Sequence, residues 1–460
     1  MEHTAQFDLD LIKRYDTAGP RYTSYPTALE FNDQFNKTSY LEQVELSNKR
    51  GGPLSLYFHL PFCDTVCFYC GCNKIITKNR KHAEPYLANL HKEVALQAAL
   101  FDSSRQVDQL HWGGGTPTFI SHDQMRELMA VTHQHFNLAD DDNGEFSIEI
   151  DPREADAETI KVLREIGFNR ISLGVQDFNP IVQKAVNRIQ SEEETFVVID
   201  EARKQGFRSV SIDLIYGLPF QTPTSFAETL TKIINVSPDR ISVFNYAHMP
   251  ERFKVQRQMN SEDIPLATVK LAILQQTIEQ LTAAGYVYIG MDHFAKPSDD
   301  LTIAQQENRL HRNFQGYSTH SECDLIGLGI TSIGRIADSY SQNQRTLAEY
   351  AESLDKNELP LLRGLTLNAD DKIRRAVITE LICHFYLDTR AIEQTLNIDF
   401  YDYFADVIPR LKQFSTDGLL TYNQNNISVL PAGYLLIRNI CMAFDRYSQQ
   451  KVTPHFSKLI

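Results

Sequence analysis

Four of the chain's seven cysteines fall within ten positions, in "FCDTVCFYCGCNK" (62–74). Thiols crowded in this way make a poor disulfide framework and a good metal or redox site. A structural zinc usually takes paired CxxC units, the second pair far along the chain. Cys323, Cys383 and Cys441 are single and form no such pair. A fully ligated iron–sulfur cluster takes four thiolates. Cys63, Cys67 and Cys70, spaced CxxxCxxC, supply three from one tight loop. That leaves one iron open to a small chelating cofactor. Cys72 is then either a neighbour that shapes the pocket or a small buried apolar side chain. Further on, "HWGGGTPT" (111–118) carries three glycines, which let a ligand come close to the backbone.

These residues need a frame to hold them. From about 54 to 285, short strand-like runs alternate with helix-length amphipathic segments. The strand candidates are "LSLYFHL" (54–60), "VDQLHW" (107–112), "FSIEID" (146–151), "RISLGVQ" (170–176), "SVSIDLIYG" (209–217) and "RISVFNYA" (240–247). Gly167, Gly206 and Gly285 stand where helices between them would end. Six strand–helix units in a row predict a parallel sheet with right-handed crossovers. A parallel sheet covered on both sides is apolar on both faces. Here Ser55, Tyr57 and His59 share one face, as do Ser147 and Glu149, Ser172 and Gln176, and Ser211 and Asp213. A repeatedly polar face favours an open barrel with a wet interior over a doubly wound sheet.

The whole chain narrows the setting. Its 460 residues exceed one ordinary core. No run approaches the ~20 consecutive apolar residues of a membrane span. The charged start "MEHTAQFDLDLIKRY" is unlike a secretory signal, so a cytoplasmic location is expected. The net charge of −14 argues against nucleic-acid binding. Any anionic substrate must be met by local bases instead. Beyond about 365 the pattern turns helical and then hairpin-like in "DGLLTYNQNNISVL", as in a winged helix. Ten bases against ten acids there give no surplus for DNA. The stretch from 286 to 338 reads as irregular.

CxxxCxxC after a predicted strand, with Tyr69 before the third cysteine, resembles the signature of the radical S-adenosylmethionine (SAM) enzymes. The stretches "RYTSYPTALEF", "YFHLPFCDTVCFYCGCNK", "LHWGGGTPT", "IEIDPRE", "GFNRISLGVQDFN", "VNRIQ", "IDLIYGLPFQTP", "DRISVFNYAHMP", "HRNFQGYST" and "LLIRNICMAFD" run over nearly the whole chain. Together they resemble the oxygen-independent coproporphyrinogen III oxidase (dehydrogenase) family of haem biosynthesis. The resemblance implies an α/β fold: an incomplete (β/α)6 radical SAM barrel at 51–345, an N-terminal extension at 1–50, and a mainly helical, winged-helix-like domain at 365–460. It implies one [4Fe–4S] cluster on Cys63, Cys67 and Cys70, and two SAM molecules. The cluster-bound SAM would meet Tyr57, Gly114 and Glu149. The second would meet Tyr69, Gly115, Thr116, Gln176, Arg188, Asp213, Ala247 and Ile333. Tyr57, His59 and Gln315 match positions with catalytic or substrate-side roles.

The implied reaction converts two propionates of coproporphyrinogen III to vinyl groups, giving protoporphyrinogen IX. An electron from the cluster splits SAM, and the 5′-deoxyadenosyl radical takes a hydrogen from the propionate β-carbon. Loss of CO2 and one electron leaves the vinyl group. The implied partners are the substrate and an electron donor, either a reductase or a flavodoxin or ferredoxin, acting on a monomer. Arg14, Arg21 and Arg312 are the candidate anchors for the substrate's carboxylates. Two departures from the family pattern stand out: Gly334 and Arg335 in "LGLGITSIGRIAD", and Ala-Gly-Tyr in "LPAGYLLIRN". The alternatives are a radical SAM-like haem-delivery protein, a radical SAM methyltransferase and a structural zinc protein. The first kind generally lacks both the long N-terminal extension and a cysteine at the position of Cys72.

Overall fold

Alternating apolar and polar residues put one face of each strand against helices and the other toward a shared interior. The computed structural model describes residues 5–139 and 142–448. At its centre are six strands: β1 (Leu54–Leu60), β2 (Gln106–Gly114), β3 (Glu145–Ile150), β4 (Arg170–Gln176), β5 (Ser209–Tyr216) and β6 (Arg240–Asn245). Each pairs in parallel with the next. Six helices make the crossovers or follow the last strand: α1 (Ala83–Ala98), α2 (His122–His135), α3 (Ala157–Glu165), α4 (Glu192–Lys204), α5 (Pro223–Val236) and α6 (Ala267–Ala283). The start of α2, α3, α4 and α5 is set by Ser121, Asp156, Ser191 and Thr222, each accepting from the amide three residues on in a reciprocal capping box. Such a cap contributes roughly 1 kcal/mol.

Outward faces carry the core. Leu56, Phe58, Leu110, Trp112, Ile148, Leu173, Ile212 and Ile241 are fully buried under the helices. Trp112 meets Phe168 edge-on at 4.9 Å between ring centres. Burying one such side chain stabilises the fold by about 1.5–3 kcal/mol. Inward faces are polar and stack in register. Ser55 pairs with Gln109 and Gln109 with Glu145 at the lower end; Tyr57 pairs with His111 and His111 with Ser147 above them.

The barrel is incomplete, as expected. The stretch expected to be irregular, 286–338, instead supplies strands to both of its flanks. Val287–Gly290 and His293–Ala295 form a hairpin, and the second strand runs antiparallel to β6. Asp324–Leu328 pairs in parallel with β1, followed by antiparallel Ile333–Ile336, Ser339–Asn343 and Leu361–Thr366. These strands are three to six residues long, too short for a periodic signal.

The N-terminal segment bridges the two flanks. Arg21 pairs with Asp292 at 2.5 Å beside the β6 flank. Tyr340 on the β1 flank donates to the Tyr25 carbonyl and stacks on Phe31. From outside, Tyr22 donates to Asp445, and Arg438 donates to the carbonyls of Gly19 and Pro20. The C-terminal region packs helices Ala369–His384, Thr389–Leu396 and Ile408–Thr416 with a three-stranded sheet made by Tyr386–Asp388, Leu420–Tyr422 and Asn426–Val429. No described helix is long and apolar enough to cross a membrane.

Candidate active site

The cysteine loop leaves the upper, C-terminal end of β1. Phe62 and Cys63 form a short parallel bridge with Ile75 and Ile76. The loop between is fastened to the segment before α4: the Phe68 amide donates to the Val186 carbonyl, and Asn187 donates to the Val66 carbonyl. All three CxxxCxxC thiols are free of disulfides. Cys63 Sγ accepts from the Thr116 hydroxyl at 3.5 Å. Cys67 Sγ accepts from Arg188 at 3.5 Å and Arg153 at 3.7 Å. Hydroxyl and guanidinium donors on these sulfurs suit an anionic thiolate cluster. Cys72 is exposed and hydrogen-bonds the Cys70 thiol.

The glycine turn follows at the end of β2, and its physical role differs from the expected one. The space above Gly113 is filled by Glu149 and His111, and that above Gly114 by the His59 ring. A side chain on Gly115 would stand 2.6 Å from the Pro61 carbonyl carbon. The Gly115 and Thr116 amides donate to the carbonyls of Leu60 and Phe62. The glycines therefore let the start of the cysteine loop lie directly on β2.

Two carboxylates stand in the upper interior with no guanidinium bonded to either among the described residues. Glu149 accepts from the Gly114 amide at 3.1 Å and lies 3.4 Å from His111 Nε2. Burial opposes its ionisation, but the His111 bond and charge and the Gly114 amide outweigh it and lower its pKa. Asp213 accepts from Ser172 at 3.2 Å. Burial, and then the charge of Glu149, push its pKa up to about 6. Tyr57 stacks on His111 with ring centres 5.9 Å apart. His59 donates from Nε2 to the Asn73 carbonyl at 3.0 Å, so Nδ1 accepts from the Tyr57 hydroxyl at 3.2 Å.

Arg188, assigned to the second SAM from the resemblance, lies outside the strands and is buried. It donates to Asp151 at 2.8 Å and to the Gly174 carbonyl at 2.5 Å, and its Nε has no partner. Gln176, at φ +69, ends β4 beside it with its Oε1 buried and unpartnered. Gln256 donates to the carbonyls of both Tyr69 and Ala247 at 3.2 Å, drawing those two together. Ile333 stands on the other flank, its backbone against Gly327, which is the β-partner of Tyr57. Gln315 is at the tip of the hairpin His311–Asn313/Gly316–Ser318, with its Nε2 buried and unpartnered.

In the sequence, "IEIDPRE" assigns no role to Asp151 or Arg153. Both belong here, since Asp151 holds Arg188 and Arg153, and both arginines reach Cys67. Their place just past β3, at the end of the barrel where ligands bind, was the available signal. Gly334 is explained by space, because a Cβ there would lie 2.9 Å from the Leu325 carbonyl. Arg335 donates to the Ser321 and Cys323 carbonyls and to His311, which makes it part of the packing.

Three thiols at the mouth of an open parallel barrel, with carboxylates and orphaned polar atoms beside them, are the arrangement of a radical SAM enzyme. Residues 57–233 match the model of the radical SAM superfamily, and residues 367–436 match that of the HemN C-terminal domain. The chain is 53% identical, over the full length of both, to the oxygen-independent coproporphyrinogen III oxidase of Pseudomonas aeruginosa. It is 50% identical to that of Escherichia coli over 99% of this chain and 98% of the other. The solved structure of the E. coli coproporphyrinogen III oxidase (HemN), a radical SAM enzyme, superposes with a TM-score of 0.92 at 49% identity, covering 96% of this chain and all of that one. The chain belongs to the oxygen-independent coproporphyrinogen III oxidase family. Membership implies a [4Fe–4S] cluster and SAM.

Proposed function

We propose that this enzyme decarboxylates two propionates of coproporphyrinogen III to vinyl groups, giving protoporphyrinogen IX, with three cluster ligands and two SAM molecules. The observation that carries the reading is the convergence of the cysteine loop, the Asp151–Arg188–Cys67 chain and the upper carboxylates on one end of the barrel. The cluster and SAM, when bound, supply the radical that takes a hydrogen from a propionate β-carbon. Cys63, Cys67 and Cys70 hold the cluster, and Arg153, Arg188 and Thr116 stabilise negative charge on its sulfurs.

Tyr57, Gly114 and Glu149 serve the first SAM. The lowered pKa of Glu149 keeps it ionised, ready to accept from ribose or ammonium donors. Tyr69, Gly115, Thr116, Gln176, Arg188, Asp213, Ala247 and Ile333 serve the second. The amides of Gly115 and Thr116 are already used, so their carbonyls are what remains to offer. The unpartnered Arg188 Nε and Gln176 Oε1 supply a donor and an acceptor there. Tyr57 and His59 form a relay with a fixed tautomer at the cluster end, and Gln315 faces the substrate side. A flavodoxin- or ferredoxin-type carrier reduces the cluster, and the enzyme acts as a monomer.

The test is anaerobic incubation of reconstituted protein with coproporphyrinogen III, SAM and a reductant, followed by pigment analysis. Protoporphyrinogen IX and methionine are the expected products. A methylated porphyrin, or haem retained without turnover, would replace this reading.

A further inference from the structure

Coproporphyrinogen III carries four carboxylates, and the three arginines first expected to anchor them are engaged elsewhere. Arg14 pairs with Asp417 at 2.6 Å and Arg21 with Asp292 at 2.5 Å. Arg312 is buried against the Tyr317 ring and donates to the Arg21 carbonyl. A different set of bases lines a groove of about 740 Å³ beside the cysteine loop. Its walls include Cys72, Phe253, Arg252, Arg345 and Arg363, together with part of the N-terminal segment around Arg21. Among the described residues no aspartate or glutamate lines it, although the chain holds 59 acidic residues against 45 basic ones.

Arg345 and Arg363 line the same groove, and neither forms an ion pair with a described carboxylate. Arg363 is held by Gln342 at 2.8 Å and by the Phe31 carbonyl, both neutral. Two like charges held together without a counter-charge favour an anion between them. The groove also touches the reaction centre. Cys72 in its wall bonds the Cys70 thiol. Asn73 accepts from His59 through its carbonyl and donates to the Arg345 carbonyl at 3.2 Å. The Phe253 ring lies 3.2 Å from where a Cβ of Gly71 would be, giving an apolar wall next to the bases.

We propose that Arg345 and Arg363, with Arg252 in the same groove, bind the propionates of the substrate that are not reacting. They act as specificity residues: a macrocycle against Phe253 presents one propionate toward the cluster end while the guanidiniums hold others. This rests on the activity proposed above. It predicts preference for a tetracarboxylate over a dicarboxylate porphyrin, because only the former has carboxylates left over for both arginines.

The experiment uses the reconstituted holoenzyme under anaerobic conditions. Binding of coproporphyrin III, the fluorescent oxidised tetracarboxylate, is compared with that of mesoporphyrin IX, a dicarboxylate. Arg345→Glu and Arg363→Gln are each expected to weaken coproporphyrin III binding by about tenfold, and mesoporphyrin IX binding by much less. Arg345 is exposed, so its variant folds even if loss of the Arg363 contacts disturbs the groove. In turnover, KM for coproporphyrinogen III should rise more than kcat falls, with release of the monovinyl tricarboxylate. Lysine at either position should restore part of the affinity. Wild-type turnover with unchanged Kd and KM in both variants would overturn the subsite and leave the activity standing. Equal weakening of both porphyrins would overturn it too, as a sign of general distortion. A wild-type enzyme that does not convert the substrate would remove both readings.

Discussion

Glu145 and Glu149 lie four residues apart on the same inward face of β3, yet their surroundings differ in kind. At the lower end Glu145 stands 3.5 Å from Arg170 and accepts from Thr319 at 2.7 Å. Nearby, Arg240 donates from Nε to both oxygens of Asp299. Burial works to raise the Glu145 pKa, but Arg170 and then Arg240 and His320 overcome it and bring it down to about 2. Glu149, two layers up, has an imidazole and an amide for partners and no guanidinium. Its side chain is 47% accessible, against 11% for Glu145. Its neighbour Asp213 is pushed the other way, to about 6. A polar strand face therefore has two uses. Where guanidiniums close it, it seals the barrel; where carboxylates are left without them, it is ready for a ligand.

The largest expected effect falls at the upper end. Replacing Cys63, Cys67 or Cys70 by Ser should abolish cluster assembly, with iron and sulfide dropping from about four per chain to near zero. Variants that keep the cluster would move the site away from this end of the barrel.

Next comes the lower end. Glu145→Gln removes one of two counter-charges from the buried Arg170, which keeps Asp300 at 2.5 Å, and should destabilise the protein by about 1–3 kcal/mol, read from chemical denaturation. The folded pKa of Glu145 is below the unfolded value of 4.5, so its stabilisation is full above pH 4.5 and is lost as pH falls toward 2. An unshifted denaturation midpoint would mean that the lower layer is not a seal.

Asp213→Asn should have the opposite sign. The folded carboxyl binds its proton more tightly than the unfolded one, so it costs the cofactor-free protein stability as pH rises from about 4 to 6. Removing it should stabilise that protein at pH 7 by about 1–3 kcal/mol while SAM bound per chain falls from two toward one. A variant that loses stability at pH 7 would place Asp213 with the structural carboxylates.

Cys72→Ser should do least. It keeps about four irons per chain and still binds SAM, with slower turnover. Loss of the cluster in this variant would make Cys72 a fourth ligand and close the iron that SAM needs.

The six inner strands were legible because β1, β3, β4 and β5 alternate over six or more residues and all six follow one another as apolar runs separated by helix-length segments. The cysteine and glycine motifs were legible because each falls at a strand end. What stayed hidden depends on distance along the chain. Arg14, Arg21 and Arg312 looked free because Asp417, Asp292 and Tyr317 make no pattern with them in the sequence. The partners of Arg188 were hidden too, because nothing in "VNRIQ" records that Asp151 and Gly174 enclose it. The two orientations of charge at the ends of β3 were equally invisible, since Arg170 and Arg240 come from other strands.

The clasp on the N-terminal segment also fixes an order of events during synthesis. Residues 19–22 are held by Arg438 and Asp445, partners more than 400 positions later in the chain. At ribosomal rates of roughly 5–20 residues per second, those partners appear about 20–80 seconds after the segment itself. The cysteine loop and all six inner strands are complete well before then. Through that interval the nascent barrel has its cysteine loop in hand and its side wall unfastened, and translation of residues 438–445 is what shuts it.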